Sequence, residues 1–298
     1  MPIRLIDIES GEEIRRLEGN RDYPVDLAFT SDGSRLVALQ PTGYFVIWDI
    51  EQTDPIDVVP TLPFVKRMTL LPGDETAALL MDFAVFVTNL NSGDITGTLI
   101  TRFDTYAEFR DRQSGVAGGL DMNYALEVSP DGATIAVATT EGNIWLWDVA
   151  LEESTHLVRA PRESIDSVSI RQLRYTPDGK HLIYYNTDTE QTRIWEVANQ
   201  REIARFNGGS AYFALAPSGD RIAWLSERGD DRIVHITPLD DPSATVDITL
   251  PTNDQIDITG PSFPVQLAFT PDGTRVVVGG YMSRPIGKNA LFVVPADS

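Results

Sequence analysis

Apolar and polar residues alternate along short runs of this chain, and the runs come in pairs on either side of a turn. The turn recurs as TSDGSR (30–35), SPDGAT (129–134), TPDGKH (176–181), APSGDR (216–221) and TPDGTR (270–275), with a weaker sixth copy, LPGDET (71–76). Glycine suits the positive φ that such turns require, and the aspartate can hydrogen bond to nearby backbone groups. A period of two on both sides of each turn predicts six β-hairpins.

A third apolar run follows each predicted hairpin. These runs are YFVIWDI (44–50), VFVTNL (85–90), NIWLWDV (143–149), TRIWEV (192–197), RIVHI (232–236) and ALFVVP (290–295). Most of them lead into a polar turn and a more irregular fourth run, such as REIARFNG (201–208). Units of four short strands that repeat along a chain are typical of the blades of a β-propeller.

The third runs carry the residues that suggest a family. Trp48-Asp49 and Trp147-Asp148 stand where WD-repeat proteins keep a Trp-Asp pair, and Trp195-Glu196 is a near match. The chain therefore resembles the WD-repeat family over nearly its whole length. The Gly-His pair that the family often carries before its first strand is replaced by Gly19-Asn20 and Gly208-Gly209. The polar network that runs through this histidine in the family is therefore expected to be absent.

The resemblance implies an all-β fold, a single closed β-propeller of four-stranded antiparallel blades, with residues 1–298 as one domain. Six complete modules are expected, and the ends of the chain leave the number of blades at six or seven. Residues 3–8 read as a third strand and residues 13–19 as a fourth strand, whereas the last module stops after three. If residues 13–19 complete the last module, the ring has six blades. If residues 3–8 begin a partial blade, the number is nearer seven.

The net charge of the chain limits the kinds of molecule that it is expected to bind. The net charge of −20 argues against a nucleic-acid partner, because affinity for phosphate backbones depends on clustered Lys and Arg, and equally against binding to anionic membranes. The N-terminus lacks the apolar run of a signal peptide, and no stretch approaches the ~18 apolar residues of a membrane span. We expect a cytoplasmic protein, a monomer by itself or part of a larger assembly. A domain cut from a longer protein is the alternative.

Few residues suggest catalysis. There are no cysteines, and the histidines, His156, His181 and His235, fall at unrelated positions of different repeats, so a shared metal site is not expected. No serine lies in a strand-to-helix elbow and no glycine-rich loop leads into a helix. The first strands begin with a mixture of residue types that lacks a ring of acids. We therefore expect no catalytic, metal or cofactor residues, and the enzymatic alternative is a lactonase-like propeller hydrolase with its site in the central channel.

The loops at the two ends of the predicted strands differ in composition. We call the loops before each first strand and between second and third strands the front loops, and the turns at the opposite ends the back turns. The back turns after the third strands are acidic, whereas the front loops carry Tyr, Phe and Arg, types common at interaction hot spots. The residues predicted to bind a partner are Tyr23, Phe64, Arg67, Tyr106, Phe109, Arg171, Tyr212, Arg228, Tyr281 and Arg284.

This distribution predicts a non-catalytic scaffold that binds a protein or peptide through one loop face of the propeller. Besides the hydrolase, the alternative is a purely structural or sensor domain of a multidomain protein.

Overall fold

The computed structural model describes residues 2–20, 22–100, 123–140, 142–151, 153–159, 170–210, 212–228, 231–250, 266–282 and 288–296. Within these ranges the regular structure is β, apart from one short 3₁₀ turn at Pro242–Ala244. The chain forms two compact units, Met1–Val168 and Ser169–Ser298.

The first unit contains a two-stranded sheet and three four-stranded antiparallel sheets. Its strands are β1 (Ile3–Ile6), β2 (Glu13–Leu17), β3 (Asp26–Phe29), β4 (Arg35–Gln40), β5 (Tyr44–Asp49), β6 (Asp57–Pro60), β7 (Arg67–Leu70), β8 (Thr76–Leu80), β9 (Ala84–Asn89), β10 (Ile95–Ile100), β11 (Asn123–Val128), β12 (Thr134–Thr139), β13 (Asn143–Asp148) and β14 (Glu153–Arg159). Strands β1 and β2 pair with each other, and β3–β6, β7–β10 and β11–β14 each form a sheet in chain order.

The second unit contains two four-stranded sheets and one three-stranded sheet, all antiparallel. Its strands are β15 (Ile170–Tyr175), β16 (His181–Asn186), β17 (Gln191–Glu196), β18 (Arg201–Asn207), β19 (Phe213–Leu215), β20 (Arg221–Arg228), β21 (Asp231–Pro238), β22 (Val246–Thr249), β23 (Gln266–Phe269), β24 (Arg275–Met282) and β25 (Lys288–Pro295). All six predicted hairpins and all six third strands are present, so the all-β repeat is confirmed.

Four of the six hairpin turns share one hydrogen-bonding arrangement. In the first turn the Thr30 hydroxyl donates to Asp32 Oδ1 at 2.7 Å and accepts from Arg35 N at 3.0 Å. Asp32 Oδ1 also accepts from Ser34 N at 2.9 Å. The same bonds recur in the turns that begin at Ser129, Thr176 and Thr270. A hydroxyl and a carboxylate thus hold the turn in the conformation that starts the return strand.

Successive sheets pack face to face within each unit. In the first unit, Val37 and Leu39 of β4 pack with Met68 of β7 and Leu79 of β8 in one buried cluster. A second cluster joins the sheets β7–β10 and β11–β14, with Trp147 fully buried in it. In the second unit, similar clusters join β15–β18 to β19–β22 and β19–β22 to β23–β25.

Two polar contacts and two glycines support this packing. Asp26 Oδ2 accepts from Met68 N at 2.9 Å, and Gln172 Oε1, at the matching position of β15, accepts from Phe213 N at 2.7 Å. Neighbouring turns also touch. A Cβ on Gly132, whose φ is +72°, would lie 3.0 Å from Pro72, and one on Gly219 would lie 2.7 Å from Pro177. The recurring proline and glycine of the turns are therefore contacts between sheets as well as turn formers.

The N-terminal strands form a small sheet of their own in the first unit. Residues 13–17 form β2, which pairs with β1 across a turn closed by Gly11 N donating to Asp7 O at 2.8 Å. The sheet β23–β25 has three strands in the described part of the chain. Residues 13–17 are thus paired with residues 3–6 within the first unit. A hairpin with a short connection closes at lower entropic cost than a pairing across the whole sequence.

The turn aspartates predict a loss of stability in acid. The Thr30 hydroxyl, followed by Ser34, lowers the pKa of Asp32 from 3.8 to about 2. The hydroxyls of Thr176 and Thr270 likewise lower the pKa values of Asp178 and Asp272 to about 2. Because the folded-state pKa is depressed, the stabilisation is complete above the unfolded value and is lost as the pH falls from about 4 towards 2.

We therefore expect the melting temperature, followed by circular dichroism, to fall in this interval. The triple variant D32N/D178N/D272N should melt lower than the parent at pH 7 and show a smaller further drop between pH 4 and 2. An equal drop in parent and variant would assign the acid sensitivity to other carboxylates.

Candidate protein-interaction surface

The front loops of the first unit are organised around the turn between β4 and β5, residues 40–43. On one side of this turn the Gln40 amide donates to Asn20 Oδ1, and Asn20 Nδ2 donates to Asp22 O at 2.7 Å. Asn20 and Gln40 are both buried, so the loop that leads into β3 is tied to the end of β4. Tyr23 follows this anchor and is 69% exposed. A fixed backbone therefore presents a phenol ring to solvent.

Phe64 lies on the other side of the same turn. Its N–H donates to Pro41 O at 3.4 Å, and the chain approaches so closely that a Cβ on Gly43 would lie 2.8 Å from Pro63 N. The ring of Phe64 is nevertheless 83% exposed, and its φ of +63° is a conformation that costs a non-glycine residue about 1 kcal/mol or more. Neither packing nor backbone preference explains a phenylalanine at this position.

The charged residues of these loops form a mixed set. Lys66 makes an ion pair with Asp82, which lies in the turn between β8 and β9. Arg67 begins β7 and is half-buried. Together with Asp22 beside Tyr23, these residues give the front loops of the first unit both signs of charge. The front loops of the first unit therefore differ from the acidic back turns mainly in their exposed aromatic side chains, and less in their basic residues.

The other predicted residues are spread over the second unit or lie outside the described ranges. Arg171 in β15 and Tyr212 before β19 are half-buried. Arg228 and Tyr281 lie in β20 and β24, where their backbones pair with Asp231 and Asn289. The residues that fall outside the described ranges are Tyr106, Phe109 and Arg284. The structure thus brings Tyr23 and Phe64 to one turn, and the rest of the set stays a prediction.

No family model matches the chain, whereas individual relatives do. An uncharacterised WD repeat-containing protein of Synechocystis is 28% identical over 52% of this chain and 40% of its own length. A target of rapamycin complex subunit of Saccharomyces cerevisiae is 22% identical over 65% of this chain and 60% of its own length. The protein groucho of Drosophila melanogaster is 29% identical over 70% of this chain. The chain spans only 27% of the length of groucho.

The β-propeller domain of Swd1 (Cps50) from Myceliophteria thermophila matches 98% of this chain and 90% of that domain, with a TM-score of 0.68 and 15% identity. The chain has the fold of a WD-repeat β-propeller. The resemblance to WD-repeat proteins is therefore confirmed, and each four-stranded sheet is a blade of the propeller. In the described residues no helix has the length and apolar character needed to cross a membrane.

The WD-repeat positions of the first blade work without the usual histidine. Trp48 is fully buried, and its indole N–H donates to Glu18 O at 2.8 Å. Asp49 caps the following turn by accepting from Glu51 N at 2.9 Å. The buried Asn20–Gln40 pair stands where the family keeps its histidine network. The sequence shows Asn20 at the place of the histidine but gives no sign of its partner Gln40, which ends an otherwise apolar strand.

The sequence gives no indication of one cluster, in which a serine, a histidine and an aspartate lie in hydrogen-bonding contact. Ser226 Oγ lies 2.6 Å from His235 Nε2, and His235 Nδ1 lies 2.6 Å from Asp247 Oδ1. The three residues come from β20, β21 and β22, and the His235 ring stacks on Trp224 at a centroid distance of 3.8 Å. Only the cross-strand register places them side by side, so their spacing along the chain gave no signal.

This Ser–His–Asp arrangement is better suited to holding a sheet together than to hydrolysis. Ser226 is part of the β20–β21 ladder, opposite Ile233, whereas a serine nucleophile sits on a sharp turn that exposes its oxygen beside oxyanion-binding N–H groups. His235 is buried under its neighbours. Across the described residues, no group of three or more His, Asp or Glu could hold a metal ion.

This interpretation predicts that Ser226 is unreactive. A fluorophosphonate reagent should leave Ser226 unlabelled by mass spectrometry, because its hydroxyl is directed at a buried imidazole. The variant H235A should lower the free energy of unfolding by about 1–3 kcal/mol, measured by urea denaturation, since it removes the hydrogen bonds to Ser226 and Asp247 and the buried ring that stacks on Trp224. Labelling of Ser226 that disappears in H235A would instead support the hydrolase alternative.

Proposed function

We propose that this propeller is a non-catalytic scaffold that binds a protein or peptide partner through its front loops. The observation that carries the proposal is the pair of exposed aromatic rings, Tyr23 and Phe64, on the two sides of one anchored turn. Burying a side chain of this size contributes about 1.5–3 kcal/mol, which the free protein leaves unused. Because both loops are already held by hydrogen bonds, a partner would not have to order them.

The relatives support a role in assemblies. One of them is named as a subunit of a complex, and it is 22% identical to this chain over 65% of its residues. We propose that the chain works within a larger assembly in the cytoplasm and that residues 1–298 act as a single propeller domain. The net charge of −20 supports a protein partner over a nucleic acid.

We expect the partner to present an apolar pocket with a polar rim to these two rings. The two rings supply the apolar anchors, and Asp22, Lys66 and Asp82 supply charges of both signs around them. Such a rim sets orientation more than affinity, because charges that remain solvated contribute little.

The proposal is tested with two double variants, both at exposed positions of the first unit. Y23A/F64A removes the front anchors, and I56A/L151A removes two exposed apolar residues from back turns of the same unit. Both should unfold within about 0.5 kcal/mol of the parent, because exposed side chains contribute little to the core.

Affinity purification with the parent chain followed by mass spectrometry identifies the partner, and calorimetry with the purified partner measures its affinity. Y23A/F64A should bind at least about 30-fold more weakly, which corresponds to ~2 kcal/mol, and I56A/L151A should bind like the parent. Weakened binding by the back-turn variant alone would overturn the proposal.

A further inference from the structure

Within each unit, the hairpin turns of neighbouring blades touch through the second residue of one turn and the fourth residue of the next. In the first unit, Pro72 of the second turn lies 3.0 Å from the place that a Cβ on Gly132 of the third turn would occupy. In the second unit, Pro177 lies 2.7 Å from the corresponding place on Gly219, and the fifth and sixth turns repeat the contact at 3.7 Å. In the two closer contacts the proline ring crowds any side chain at the fourth position.

The contact between the first turn (30–35) and the second turn (71–76) uses the same two positions with different residues. Ser31 stands at the proline position of the first turn, and Asp74 stands at the glycine position of the second. Ser31 N donates to Asp74 Oδ2 at 2.9 Å, and the Ser31 hydroxyl donates to the same oxygen at 2.6 Å. A proline would supply neither donor, and a glycine would supply no acceptor. Two hydrogen bonds thus take the place of the contact between a proline ring and a glycine.

Asp74 keeps the backbone conformation of the glycine that it replaces. Its φ is +58°, compared with +72° for Gly132, and its N–H donates to Leu71 O at 3.1 Å, which closes the turn. A residue with a Cβ bears a steric penalty in this conformation that glycine does not. The backbone of the second turn therefore favours glycine at position 74, and the contact with Ser31 accounts for the aspartate.

Each of these two exceptions occurs once among the six turns of the sequence. The first turn alone lacks proline at its second position, and the second turn alone lacks glycine at its fourth position. The two exceptions meet in one contact. If the second turn followed a turn with proline, the Asp74 side chain would point into a proline ring, as the distances at Gly132 and Gly219 show. If the first turn preceded a turn with glycine, Ser31 would find no carboxylate.

The connections between the sheets do not by themselves give the sheet β7–β10 its place. Residues 61–66 separate β6 from β7, whereas residues 101–122 separate β10 from β11. An extended chain covers about 3.3 Å per residue, so the longer connection can bridge the place of a whole sheet. During folding, β11–β14 can therefore reach the face of β3–β6 that β7–β10 covers in the native unit. Misassembly of this kind is a characteristic failure of proteins built from repeats.

We propose that Ser31 and Asp74 form a matching pair that assigns the sheet β7–β10 to the place next to β3–β6. Asp74 disfavours every neighbour whose turn carries proline, and Ser31 stabilises only the neighbour whose turn carries a carboxylate. One residue thus acts against the wrong arrangement and the other favours the correct one, and both elements together give specificity among similar surfaces.

A double-mutant cycle on the full chain tests the match, with melting temperatures followed by circular dichroism. S31P alone should lower the melting temperature by about 2–4 °C, because it removes both donors and places a ring against the Asp74 side chain. In the D74G background the same substitution should leave the melting temperature unchanged or raise it, because S31P/D74G recreates the proline–glycine contact of the other turns. As a control, S31P and D178N, which lie in different units, should have additive effects.

Refolding separates a matching role from plain stabilisation. After dilution from urea, size-exclusion chromatography should recover S31P/D74G in the native peak with a yield at least about twofold below that of the parent, although its folded state is stable. D178N, which leaves the pair intact, should refold with the yield of the parent. If S31P fails to fold, the milder variants S31A and D74N complete the cycle, and their combined effect should be smaller than the sum of their separate effects.

Two results would overturn the proposal. One is a substitution at Ser31 that changes the melting temperature equally with and without the Asp74 carboxylate. The other is an S31P/D74G variant that refolds with the yield of the parent, because the pair would then add stability without selecting a neighbour.

Discussion

The second strands of the described hairpins are apolar on both faces, and each apolar face is stable only where a neighbour covers it. A β-sheet with a solvated face alternates apolar and polar residues, whereas here the second strands are apolar at consecutive positions, as in RLVAL (35–39) and TAALL (76–80). Face-to-face packing of successive sheets within each unit follows from this requirement, and so do the clusters around Met68 and Trp147. The short β1–β2 hairpin also covers an apolar face, because it packs on Trp48.

The hairpins and their turns could be predicted from the sequence because their causes are local. In four of the six turns a hydroxyl, an aspartate and a glycine at fixed spacing define the turn, and the alternation on each side defines the strands. The third strands were equally visible, since the apolar runs around Trp48 and Trp147 fit the WD-repeat pattern. These features account for the fold that the comparison with Swd1 confirms.

The remaining features depend on relations that a single repeat does not contain. The Ser226–His235–Asp247 contact requires the register of three strands. For the candidate surface, residue types identified Tyr23 and Phe64, but only the structure shows that they flank one turn.

The substitution of an amide pair for the family's histidine network changes how the first front loop responds to its surroundings. Imidazole gains or loses a proton near neutral pH, so a loop held by a histidine can loosen when a compartment acidifies. Asn20 and Gln40 carry no titratable group, and their buried contact is indifferent to protons across the physiological range. Tyr23 is thereby held in place at the pH of an endosome as well as at that of the cytosol.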